Sequence, residues 1–106
     1  MTIHILKTVQ PYFKQVSRGL KTFEVRKNDR DFREGDILLL CPWPTPSGHF
    51  EVLRREVTYI LYSDLCSTFG VEPGYVVMGI RDVGPDYFSR KYVSIHAPEL
   101  LGGRAP

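Results

Sequence analysis

Lys21, Glu24 and Arg26 could do chemistry together. Glu24 and Arg26 lie two apart in Thr22-Phe23-Glu24-Val25-Arg26, where polar and apolar residues alternate. A strand there carries the carboxylate and the guanidinium on one face, beside Thr22. A guanidinium makes paired hydrogen bonds to a phosphate or a base edge, and a carboxylate accepts from an exocyclic amine such as that of cytosine. The same two groups would equally serve as a structural ion pair across a barrel mouth. Lys21 follows Gly19, a natural helix stop, at the entrance to that strand. Exposed, its ammonium is a point charge for a phosphate; partly buried, it is a base or nucleophile.

Lys7, Arg30 and Arg33 are candidate phosphate contacts. The two arginines flank Asp31-Phe32 in a turn-rich stretch, where they would extend a basic rim along an anionic partner unless Asp29 and Asp31 neutralise them locally. Trp43, the one tryptophan, sits between two prolines and would either stack on a base or cover the core. His4, His49 and His96 are too widely spaced for a metal-ligand pattern, and Cys41 and Cys66 match no zinc spacing. Both cysteines read as small packed hydrophobes, and neither metal nor cofactor is expected. Nucleophile elbow, phosphate-cradling glycine loop and dinucleotide fingerprint are all missing from the sequence.

The elements that must position these residues follow from periodicity. Residues 3–6 form an apolar run that suits a buried first strand, and Thr8 offers an N-cap for a helix through Tyr12, Phe13, Val16 and Arg18, with Pro11 in its first turn. Phe13, Val16 and Leu20, with Tyr12, give that helix an apolar face, and Gly19 stops it. From Thr22 the period becomes two, giving a half-buried strand with Phe23 and Val25 on one side. Gly35-Asp36 introduces a strand over Ile37 to Leu40, after which the prolines keep residues 42–48 in a loop. Phe50 to Tyr62 reads as a long strand whose apolar parity switches, implying a bulge near Arg54-Arg55-Glu56. Residues 63–73 connect it to a strong strand from Tyr75 to Ile80. Tyr87 to Ser94 carries enough β-formers for an added edge strand, and Leu100 to Pro106 reads as a mobile tail.

With 106 residues, 42% apolar and 25% charged, the chain has the size and composition of one globular domain. The net charge of +2 is unevenly spread. Residues 1–35 hold eight basic side chains against four acidic ones and the remainder six against eight, so a positive excess that suits an anionic partner sits in the first third. No apolar run approaches the roughly 20 residues that span a bilayer, and the N-terminus lacks a signal-peptide layout, so a cytoplasmic protein with no membrane partner is expected. Strands outnumber helices, and the fold class expected is α+β, mainly β: a small barrel with one packed helix.

Residues 19–26, Gly-Leu-Lys-Thr-Phe-Glu-Val-Arg, resemble the G-x-K-x-x-E-x-R signature of the ASCH family of the PUA-like superfamily, with Gly19, Lys21, Glu24 and Arg26 at the signature positions. Leu6-Lys7-Thr8, Tyr12-Phe13, Val16, Lys21 through Arg30, Phe32 and Gly35-Asp36 are similar to a bacterial and phage subfamily of unassigned function, and Tyr75 to Ile80 to its closing strand. The resemblance implies an ASCH/PUA-like domain over residues 1–82, an extension over 83–106, and a cleft beside the first helix lined by the signature. It also implies RNA as the partner, read by a non-catalytic domain through Lys21, Glu24 and Arg26. The alternative it implies is a hydrolase acting on a modified nucleoside or on RNA, with Lys21 as base or nucleophile and Glu24 as proton carrier. Similar acetylcytidine-hydrolysing domains carry threonine where Glu24 stands, and this chain shows no obvious equivalent of their additional acid, which weakens that alternative. A protein-interaction or regulatory module is the third reading.

Overall fold

The computed structural model describes residues 1–63 and 70–84, and the main chain of 94–96. It contains β1 (Thr2–Val9), α1 (Tyr12–Ser17), β2 (Phe23–Lys27), β3 (Ile37–Trp43), β4 (Leu53–Tyr62), β5 (Tyr75–Asp82) and β6 (Ser94–His96). The strands form one mixed sheet in the order β2-β5-β4-β3-β1-β6. β1 runs parallel to β3 and β6, and the other pairs are antiparallel. Among the described residues the chain is thus mainly β with one short helix.

The sheet curls. β2 and β1 have three strands between them, which in a flat sheet would hold them about 19 Å apart. Instead Arg26 on β2 donates to the carbonyl of Lys7 on β1 at 3.1 Å. The concave side encloses the main core, where Leu6, Phe32, Leu38, Leu40, Val76 and Met78 are fully buried beneath Phe13 and Val16 of α1. A smaller cluster of Ile3, Ile37, Val83 and Leu39 lies on the other face of β1 and β3.

Several elements differ from the sequence expectation. Thr8 is not an N-cap: β1 continues to Val9 because its parallel ladder with β3 extends through Thr8↔Pro42 and Val9↔Trp43. Pro11 takes the cap position without a side-chain cap bond. The helix stops as expected. Gly19, at φ +75°, donates to the carbonyl of Val16 at 3.0 Å while Leu20 N–H donates to that of Gln15 at 3.0 Å, the paired bonds of a Schellman stop. Because α1 ends at Ser17, Leu20 never joins its apolar face and is exposed, as is Tyr12.

Pro42 and Trp43 belong to β3 rather than to a loop. Pairing of β3 with β4 ends at Leu40↔Leu53, so a residue without an N–H is tolerated where only β1 flanks the strand. β4 starts at Leu53, leaving Phe50 and Val52 partly exposed outside it, and its bulge falls between Val57 and Tyr59. The break lies later than residues 54–56 because Arg55 keeps the buried parity of Leu53 and Val57. Its guanidinium donates to the carbonyl of Val16 at 3.2 Å and to Asp82 Oδ1 at 3.1 Å, which makes an inward charge tenable. Of the edge strand expected over Tyr87 to Ser94, residues 87–93 lie outside the described residues, as does the tail from Leu100 to Pro106.

Candidate functional site

The Schellman turn delivers Lys21 to the start of β2, and the strand period does the rest. Glu24 and Arg26 pair with Met78 and Val76 of the core-lining face of β5, while Phe23 and Val25 face outwards. The buried half of β2 is therefore its charged half: Glu24 is 3% exposed and Arg26 9%, whereas Phe23 is 46% and Val25 50% exposed.

Lys21, Glu24 and Arg26 form one connected cluster. Lys21 Nζ donates to Glu24 Oε1 at 2.9 Å and to the Phe23 carbonyl at 2.6 Å; Arg26 Nε donates to Glu24 Oε2 at 3.1 Å. Each carboxylate oxygen of Glu24 thus holds one cation. Arg26 spends its remaining nitrogens on β1, Nη1 on the Lys7 carbonyl at 3.1 Å and Nη2 on Thr8 Oγ1 at 3.2 Å. Lys21 is the partly exposed member of the cluster, and its ammonium lies 5.0 Å from the Phe23 ring centre and 6.0 Å from that of Tyr12. Both rings are about half exposed. Tyr12 and Phe23 were not singled out by the sequence; the signal available was their position beside Gly19-Leu20-Lys21.

The other candidates separate. Arg30 is buried and donates through Nη1 to the Ile5 carbonyl at 3.0 Å, two residues before the carbonyl held by Arg26. Burial lowers its pKa from the ordinary guanidinium value, Asp29 opposing the shift and Arg26 adding to it. It is a strut of the curl rather than part of an exposed rim. Arg33 is exposed and pairs with equally exposed Asp31 at 2.8 Å; that hydrogen bond and charge raise its pKa.

Lys7 shares its cross-strand position with Cys41, and Val9 shares one with Trp43. Side chains alternate across a strand, so Lys7, Cys41 and Trp43 stand on the Ile3–Ile37 side, opposite Leu6 and Thr8. Lys7 is 2% exposed, with Nζ 4.0 Å from the centre of the Trp43 ring. It therefore does not join the Lys21–Glu24–Arg26 cluster, although its carbonyl does.

A cavity of about 380 Å³ lies elsewhere, lined by Val25, Gly70, Val71, Glu72, Tyr75 and Val77 on the outer side of β2 and β5. Its wall is mainly apolar and includes none of Lys21, Glu24 and Arg26. Among the described residues, no His, Cys, Asp and Glu side chains gather in a group able to hold a metal ion, and no helix is long and apolar enough to cross a membrane.

A curled, mainly β sheet with a short helix packed on it and a lysine–glutamate–arginine cluster at its seam defines the class of domain. The chain belongs to the family described as a domain of unknown function, DUF3850, whose model matches residues 3–80. Among solved structures it is similar to a crystal structure of hypothetical protein PH0355, at 19% identity and a TM-score of 0.51, covering 78% of this chain and 100% of that one. That likeness concerns the fold alone. None of the curated proteins matches the chain.

Proposed function

We propose that this chain is an RNA-binding domain of the ASCH type within the PUA-like superfamily, and that it receives an unpaired base at the mouth formed by Lys21, Tyr12 and Phe23. One observation carries the reading: a cation held by a buried carboxylate is flanked by two half-exposed aromatic rings. Aromatic faces stack bases without regard to sequence, and an ammonium beside them supplies the phosphate contact that single-strand binders require. Lys21 and Glu24 meet the ligand in this reading. Arg26 and Arg30 hold the curl that positions them, and Arg33 is an outlying phosphate contact.

Fluorescence anisotropy of labelled single-stranded RNA at two salt concentrations tests this. Saturable, salt-sensitive binding that Lys21→Ala weakens supports it; wild-type protein that leaves the RNA free, or a Lys21→Ala variant that binds unchanged, removes it.

A second reading rests on the 2.9 Å bond from Lys21 Nζ to Glu24 Oε1. A lysine bonded to a carboxylate can pass a proton, as hydrolysis of a modified nucleoside or of RNA requires. Turnover of an N-acylated cytidine or an RNA substrate, abolished by Lys21→Ala and by Glu24→Gln, distinguishes an enzyme from a binder.

A further inference from the structure

We infer that Lys7 and Trp43 form a second, covered ligand site on the outer face of β1 and β3, which takes a phosphate-type oxyanion when the indole moves off the ammonium. The site stands on different residues and on a different face from the proposed RNA mouth, and it does not depend on that reading.

Lys7 is among the most completely buried side chains, and its Nζ has no hydrogen-bond acceptor among the described residues. An ammonium carries three donors, and leaving them unmet away from water is costly. The Trp43 ring at 4.0 Å offers a cation–π attraction but no oxygen to accept those hydrogens. Glu24 cannot serve, because it lies on the other side of the sheet, where it holds Lys21 and Arg26. A methionine or leucine would fill the position without this cost, so the lysine brings a demand for an acceptor that the packing does not meet. A phosphate presents several oxygens to one ammonium, which matches that demand in both charge and donor count.

The indole is placed where it can move. Trp43 is the last residue of β3, beyond the end of the β3–β4 ladder, and among the described residues only β1 flanks it in the sheet. Its side chain is half-buried, and residues 44–52 after it form neither helix nor strand. Displacing the ring breaks no ladder between β3 and β4.

Trp43 is the one tryptophan of the chain, so its emission reports on this site directly. The full-length protein is titrated with sodium phosphate, with uridine monophosphate and with uridine, the ionic strength being held by sodium chloride. The site predicts a saturable emission change with phosphate or the nucleotide and none with uridine or chloride. A response to inorganic phosphate identifies a free oxyanion as ligand; a response to the nucleotide alone identifies a phosphate borne on a nucleoside.

Lys7→Met should weaken the response by about tenfold or more, and Lys7→Arg should keep it, since a charged donor remains. If Lys7→Met does not fold, Trp43→Phe followed by phosphorus NMR provides the second reading, with phosphate binding retained. Lys21→Ala should leave the titration unchanged, which separates this site from the RNA mouth. A silent wild-type titration, a uridine response equal to that of the nucleotide, or an unchanged response in Lys7→Met overturns the inference.

Discussion

The guanidinium of Arg26 donates to the main-chain carbonyl of Lys7 at 3.1 Å, joining two strands between which the sheet places three others. Arg30, three residues beyond the end of β2, likewise donates to the Ile5 carbonyl of β1 at 3.0 Å. Successive odd residues of a strand point their carbonyls to the same side, so the two guanidinium groups stand where a neighbouring strand would otherwise supply N–H donors. The curl is closed by arginine side chains instead of a ladder, and the carboxylate that steadies Arg26 is the one that holds Lys21.

Closure by side chain makes Arg26 expensive to remove. Arg26→Ala leaves Glu24 buried with only Lys21 and leaves the Lys7 carbonyl without its donor. The expected loss is about 3 kcal/mol, the usual scale for breaking one side of a buried hydrogen-bonded pair. Arg26→Lys should recover only part, because an ammonium does not span Glu24, the Lys7 carbonyl and Thr8 as a planar fork does. Urea unfolding followed by circular dichroism measures both; a loss within error for Arg26→Ala would show that the seam does not need it.

Gly79 faces the bulge of β4. A Cβ built on it meets Thr58 Oγ1 at 2.9 Å and the Tyr59 Cβ at 3.8 Å. Gly79→Ala should therefore cost roughly 1–2 kcal/mol through overpacking, and Thr58→Ala in the same chain should return most of that, since it removes the atom in the way. A double-mutant cycle by thermal unfolding measures the coupling. Additive losses would place the strain in the backbone of β5 rather than in this contact.

What the sequence shows of this arrangement depends on which interactions are local. The stop at Gly19 and the strands around residues 3–6, 37–40 and 75–80 are written in short-range patterns, and all appear. Alternation in β2 shows which residues share a face but not which face is buried; that choice falls to the charged side because Arg26 finds acceptors on β1, nineteen residues away in sequence for Lys7. The bulge was displaced for the same kind of reason, since Arg55 occupies an inward position by bonding to the end of α1. Sequence spacing brings Lys21, Glu24 and Arg26 together correctly. Lys7, expected with Arg30 and Arg33 as a phosphate contact for the same ligand, is instead turned by the pleat to the opposite face beside Trp43.

Cys41 provides a test by pH. Partial burial raises its thiol pKa above the ordinary value, by desolvation. A raised acid holds its proton more tightly when folded, so its contribution to stability is complete below the unfolded thiol pKa and is lost as pH rises through the folded one. In a Cys66→Ser background, the stability difference between Cys41 and Cys41→Ala should therefore move against the cysteine as the solution becomes strongly alkaline. Urea midpoints across that range measure it. Alkylation of native Cys41 at about pH 8 should also be slower than that of a free thiol; equal rates would contradict the shift.

Tyr12 and Phe23 separate binding from folding. Both rings are about half exposed, so truncating either should leave thermal stability nearly unchanged. If they flank a base, each alanine substitution should weaken single-stranded RNA binding by about 1–3 kcal/mol and leave its salt dependence unchanged, since no phosphate contact is lost. Arg33→Ala makes the reverse prediction: its exposed pair with Asp31 contributes nothing measurable to stability, while losing a phosphate contact should lower the salt slope by about one. Anisotropy titrations over a salt series distinguish the two signatures. Should Tyr12→Ala and Phe23→Ala bind RNA as wild type does, the rings are not a stacking platform and the mouth at Lys21 takes a different ligand.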